Sequence, residues 1–154
     1  MTETEFISRE MQRKDISQVL IMSRDNMSQV IYESWGVAWE DEDLLKMLLH
    51  NSTYNEVFEI EGKIVAYYSI DIRDSILFIN SIQVDRDYRG IGYGSEMIKR
   101  IEEIAEIYRA EVIELWVQTT NIAARKFYYA KGFKMISRQG NNYLMRKFLP
   151  CLSV

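Results

Sequence analysis

Residues 75–94 read SILFINSIQVDRDYRGIGYG, and helical spacing follows at once at Met97, Ile98, Ile101, Ile104, Ala105 and Tyr108. A run of β-formers therefore hands over to a helix through a loop with three glycines at alternate positions. This handover constrains the chain more than any other feature. A helix N-terminus carries unpaired backbone N–H groups and a partial positive charge, and both attract anions. Glycines let successive N–H groups converge and allow a close approach. Arg89 adds a planar, permanently charged donor at the mouth. On these residues alone, the loop is either a phosphate cradle or a strained turn that caps a helix. A Walker loop would end in Gly-Lys-Ser/Thr, whereas Gly94 precedes Ser95-Glu96. A dinucleotide fingerprint would need glycine at 95 and an acid at the next strand's tip, where Gln118-Thr119 stand.

The remaining periodicity sets the frame around this loop. Residues 5–12 read as a short first strand. A helix is expected from Asp15, a candidate N-cap, and a second from Glu42 to His50. Between them lies ESWGVAWEDED. EVFEIEGKIVAYYSI is two strands turning at Glu61-Gly62, and VIELWVQ is another strand. Ile122 to Lys131 is a helix stopped by Gly132, and a last hairpin turns at Gly140-Asn141-Asn142. The order β-α-α-β-β-β-α-β-α-β-β implies a mixed α/β sheet with helices on both faces. No repeat or linker divides the chain, so residues 1–154 are expected to form one domain.

With 47% hydrophobic and 27% charged residues, the composition is that of a globular protein. A formal charge of −4 argues against a nucleic-acid partner. No apolar run approaches the roughly 20 residues of a membrane span, and MTETEFISRE has no signal-peptide pattern. Cys151, the single cysteine, has no internal partner, which suits a reducing cytoplasm. No Cys/His cluster has ligand spacing, so no metal is expected.

Downstream stands NIAARKFYYAKGF, residues 121–133, in which Asn121, Ala124, Phe127 and Tyr128 share a helical spacing. Together with Val84 and the RGIGYG loop, this segment resembles the GCN5-related N-acetyltransferase family over roughly residues 55–148. The resemblance implies a sheet that splays open after its fourth strand, with acetyl-CoA as co-substrate in the gap. Backbone groups of Ile82, Gln83 and Val84 would pair with the pantetheine arm. Arg89, Gly90, Ile91, Gly92, Tyr93, Gly94 and Ser95 would hold the pyrophosphate, and Asn121 and Ala124 would flank the pantetheine.

By the same resemblance, the Val84 N–H would polarise the thioester carbonyl and Tyr128 would protonate the departing CoA sulfur. Many members carry a carboxylate on the strand before the position of Val84. Residues 78–82, FINSI, contain none. Asn80 or Ser81 would then orient a water, leaving proton removal to Glu33, Glu40, Asp41 or His50. Trp35 and Trp39, with Asp41, are candidates for binding a cationic amine. The expected activity is acetyl transfer to a primary amine: a small amine, polyamine or amino-acid derivative. Alternatives are a protein N-terminus or lysine as acceptor, and an acyl-CoA sensor without turnover. A homodimer is a further possibility raised by the family.

Overall fold

The computed structural model describes residues 5–150; Cys151 lies outside them. The chain runs β1 (Ile7–Glu10), α1 (Ile16–Trp35), α2 (Asp41–Leu48), β2 (Tyr54–Ile60), β3 (Lys63–Arg73) and β4 (Ile76–Val84). It continues through α3 (Tyr93–Ile107), β5 (Val112–Gln118), α4 (Ile122–Ala130), β6 (Lys134–Gln139) and β7 (Asn142–Phe148). One seven-stranded sheet has the order β1-β2-β3-β4-β5-β7-β6. No helix is long and apolar enough to cross a membrane, among the described residues.

Alternation along β2 and β3 sends side chains to two separate cores. Val57, Ile64 and Tyr67 pack under α1 and α2 against Val19, Met22, Leu44 and Leu48. Phe58, Tyr68, Ile79 and Leu115 pack on the other face, against Met97, Ile98 and Ile101 of α3 and Tyr128 of α4. Each fully buried aliphatic side chain contributes about 1.5–3 kcal/mol to holding these layers.

Among the described residues only β4 and β5 are parallel neighbours, and they pair from Ile76↔Val112 to Ile79↔Leu115. Beyond that point β4 stays laddered to β3 as far as Val84, and β5 stays laddered to β7 as far as Gln118. The sheet therefore splits into two intact halves with a wedge between them. The split begins at a bulge. Ser69 pairs with Ser81 and Ile70 with Ile79, leaving Asn80 as the extra residue on β4. A bulge bends and twists its strand, and this one swings β4 away from β5.

Two local expectations change. Asp15 does not cap α1 with its side chain. It accepts the Gln12 N–H at 2.7 Å and a two-pronged bond from Arg9 at 2.7 and 2.8 Å. That guanidinium holds its carboxyl below the usual range. Trp35 is the last residue of α1, not part of the connection, because the helix runs on until Gly36 ends it at φ 67°.

Candidate active site

The wedge opens into a cleft of about 680 Å³, walled by β4, β5, α1 and α4. Its β4 wall offers unpaired backbone. The Asp85 N–H donates to the Val65 carbonyl at 2.8 Å, so the adjoining pair Ala66↔Val84 is of the non-bonded kind. Pairs alternate along an antiparallel ladder. Val84 and Ile82 thus turn N–H and C=O away from β3 toward the cleft, whereas the Gln83 backbone is spent on Tyr67. Of the three backbone positions expected to pair with the pantetheine arm, Ile82 and Val84 face the cleft and Gln83 does not. The Val84 carbonyl accepts from the Asn26 side chain at 3.0 Å, and Arg89 Nε approaches it at 3.5 Å.

At the end of β4, Gly90 (φ 77°) and Gly92 (φ 105°) adopt left-handed backbone that L side chains rarely take, and α3 starts at Tyr93. The first amides of a 15-residue helix therefore lie beside Arg89 at the cleft's end. Gly94 serves a different purpose. A Cβ there would stand 3.1 Å from the Phe127 ring, so its smallness lets α3 meet α4. Tyr93 turns its ring into the core against Phe6 and Phe58. Only its backbone remains for the loop, while Ile91 is exposed and Ser95 half-buried.

Across the wedge, the Asn121 carbonyl oxygen caps α4 by accepting the Ala124 N–H at 3.2 Å. That leaves its amide NH₂ as a donor on the cleft wall. One turn beyond Ala124 is Tyr128, 7% exposed and lining the same cleft. Burial alone pushes its phenol pKa above the ordinary value. No side chain among the described residues bonds its hydroxyl.

Asn80 and Ser81 line the cleft. Asn80 Nδ2 is buried without a partner, and Ser81 bonds the Tyr67 hydroxyl at 2.8 Å. The outlying candidates divide. Trp39 lines the cleft, its Nε1 donating to Asp41 at 2.6 Å. Asp41 sits in a shallower neighbouring hollow, bound by Arg24 and Trp39. Arg24 first, then Trp39, holds its carboxyl low, which suits a fixed anion rather than a base.

Glu33, Trp35 and His50 lie off the cleft. Glu33 is exposed and accepts from Gln29 one turn back. Trp35 stacks over Gly140, where a Cβ would meet its ring at 2.6 Å. His50 bonds Ser52. Glu40 does line the cleft, as does Asp43. Besides Asp43, the sequence reading missed the α1 wall of the cleft, formed by Ser23, Asn26, Met27, Val30 and Ile31. Their i, i+3, i+4, i+7, i+8 spacing was a readable signal, with two polar members on an otherwise apolar stripe.

The Acetyltransferase (GNAT) family model matches residues 23–133. The chain belongs to this family. A PaiA N-acetyltransferase of Thermoplasma acidophilum, solved in complex with coenzyme A, shares the GNAT fold at a TM-score of 0.78. It has 16% identity, over 94% of this chain and 99% of that one. The ribosomal-protein-S18-alanine N-acetyltransferase of Escherichia coli superposes at 0.76, again with 16% identity and covering 97% of both chains. An uncharacterized N-acetyltransferase of Methanocaldococcus jannaschii is 33% identical over 85 residues, 51% of this chain and 38% of the relative. A probable spermine N(1)-acetyltransferase of Bacillus subtilis subsp. natto is 31% identical over 68 residues, 44% and 45% of the two. The matched segments thus span half or less of these two curated relatives.

The GNAT site has parts of the right chemistry for an acyl-CoA. Left-handed glycines lead into a helix N-terminus beside an arginine, suited to a pyrophosphate. An open strand edge offers alternating N–H and C=O groups, suited to the amides of an extended arm.

Proposed function

We propose that this chain is an N-acetyltransferase that moves an acetyl group from acetyl-CoA to a primary amine, with a small cationic amine as acceptor. The observation that carries this reading is a convergence on one cleft. The unpaired backbone groups of Ile82, the Val84 N–H, the amides after Gly92, and the unpartnered hydroxyl of Tyr128 all bear on it. Acetyl-CoA supplies the activated acetyl thioester. Everything else is the work of the chain.

The β4 edge binds the arm as an added strand, and Arg89 with the start of α3 holds the phosphates. The Val84 N–H polarises the carbonyl. As the new N–C bond forms and the C–S bond breaks, Tyr128 hands its proton to the sulfur and recovers one from solvent. The amine sheds its proton to water near Asn80, since the cleft face of β4 has no carboxylate. Glu40 and Asp43 on the cleft wall favour a positively charged acceptor, and Trp39 offers it an aromatic face. The likeness to a spermine acetyltransferase points the same way.

The test is thiol release from acetyl-CoA with spermine, an alanine-ended peptide and a lysine peptide, comparing the unaltered protein with Tyr128→Phe. We expect spermine to stimulate release most, and Tyr128→Phe to lower kcat about a hundredfold. Release that no amine stimulates, with CoA binding intact, would instead make the chain an acyl-CoA sensor.

A further inference from the structure

On the α1 side of the sheet, three hydroxyls form a chain whose direction follows from counting protons. Ser23 Oγ lies 2.8 Å from the Val19 carbonyl oxygen and also bonds Tyr67 Oη. Tyr67 Oη in turn lies 2.8 Å from Ser81 Oγ. A carbonyl only accepts, and each hydroxyl has one proton to give. Ser23 therefore gives its proton to Val19, Tyr67 gives its proton to Ser23, and Ser81 gives its proton to Tyr67. The reverse order would set Ser23 and Val19 lone pair to lone pair at 2.8 Å. Ser23 and Tyr67 are 1% and 0% exposed, so no solvent offsets such a mismatch. With its proton turned inward, Ser81 Oγ shows the cleft only lone pairs.

We propose that Tyr67, anchored by Ser23, is a positioning residue that fixes the Ser81 hydroxyl as the hydrogen-bond acceptor for an N–H of the incoming primary amine. This rests on the acetyl-transfer reading of the same cleft. A primary amine has N–H groups to spare, and pinning one restricts where its lone pair points. The chain of hydroxyls orients the nitrogen but does not deprotonate it, because it ends on a peptide carbonyl that takes no proton at neutral pH. Ser81 thereby differs from its neighbour Asn80, whose amide NH₂ is a donor on the same wall.

The experiment uses whichever amine of the panel the unaltered protein acetylates. Tyr67→Phe keeps the ring and removes the inward acceptor, so Ser81 can turn its proton into the cleft. We expect that amine's KM, and its Kd by calorimetry on CoA-saturated protein, to weaken about tenfold, the scale of one hydrogen bond to a charged group. The KM for acetyl-CoA and the Kd for CoA should stay the same.

Ser81→Ala should show a similar loss, the double variant little more, and Ser81→Thr near-complete recovery. Should Tyr67→Phe fail to fold, Ser23→Ala removes the anchor from the other end and should weaken amine binding in the same sense, by less. Additive losses in the double variant, or amine affinity unchanged in both single variants, overturn the proposal while leaving acetyl transfer standing. A protein that acetylates nothing in the panel overturns both.

Discussion

Tyr67 and Tyr68 are neighbours on β3, both 0% exposed, and point to opposite faces of the sheet into opposite kinds of polar cluster. Beneath α3, Tyr68 and Tyr54 each donate to Glu56 Oε2 at 2.9 Å, and Arg100 pairs with the same carboxylate. Glu56 is 1% exposed, so this cluster is a buried anion held by a cation and two phenols. On the α1 face, Tyr67 joins two serines and no charge at all. The charged cluster is closed on itself and away from the cleft. The neutral one ends on the cleft wall with a defined hydrogen-bond polarity. One holds α3 to the sheet; the other carries structure to the site.

The contrast breaks most visibly in stability. Arg100→Leu strands the Glu56 carboxylate with only phenols to satisfy it, a loss of about 2–3 kcal/mol. This is below the full cost of an unpaired buried charge, since the two phenols still donate and Arg100 itself reaches water. For a chain of this size, Tm should fall by about 5–10 °C, with CoA affinity retained. Tyr67→Phe loses only neutral hydrogen bonds, about 1 kcal/mol, and should lower Tm by a few degrees. If the two variants melted alike, the distinction between a charged anchor and a neutral wire would fail.

A second pair sharpens the division within a single loop. Gly92 is needed for its backbone (φ 105°), Gly94 for its missing Cβ beside Phe127. Gly92→Ala should weaken CoA binding about tenfold, from strain of the order of 1–2 kcal/mol where the amides converge. Gly94→Ala should act chiefly on stability, by about 1 kcal/mol, as the Phe127 ring shifts. Calorimetry and melting on the two variants would separate these roles; equal losses of CoA affinity would erase them.

Much of this organisation was legible in the sequence because it is local. The change from a period of two to 3.6 marked each element, and Gly132 (φ 94°) marked the end of α4 without any tertiary knowledge. The order of elements followed, whereas the splayed sheet was implied by the family resemblance. What was hidden depends on partners distant in the chain. The Asn80 bulge exists only as a difference in register between β3 and β4. Tyr67 reads as one more buried aromatic in KIVAYYSI until Ser23 and Ser81, 44 and 14 residues away, arrive beside it. Glu33 was a candidate base and Trp35 a candidate for the acceptor pocket, but helix phase and the extension of α1 to Gly36 carry them off the cleft. Chemistry at the right place in the chain is not yet chemistry at the right place in space.

The smallest expected effect concerns Tyr128 and is a matter of sign. Tyr54 is pushed up to about 12 by burial first and then by Glu56, so a neighbouring anion contributes to its shift. Tyr128 is raised by burial alone. In both cases the neutral phenol is favoured, so the protonated form persists above the ordinary tyrosine value of about 10. A general acid so shifted stays loaded across the whole range in which amines lose their protons. The kcat of the unaltered protein should therefore rise with pH as the acceptor deprotonates, and show no descending limb below about pH 10. A descending limb centred near pH 8–9 that disappears in Tyr128→Phe would mean the phenol ionises early, and would take the general-acid role away from it.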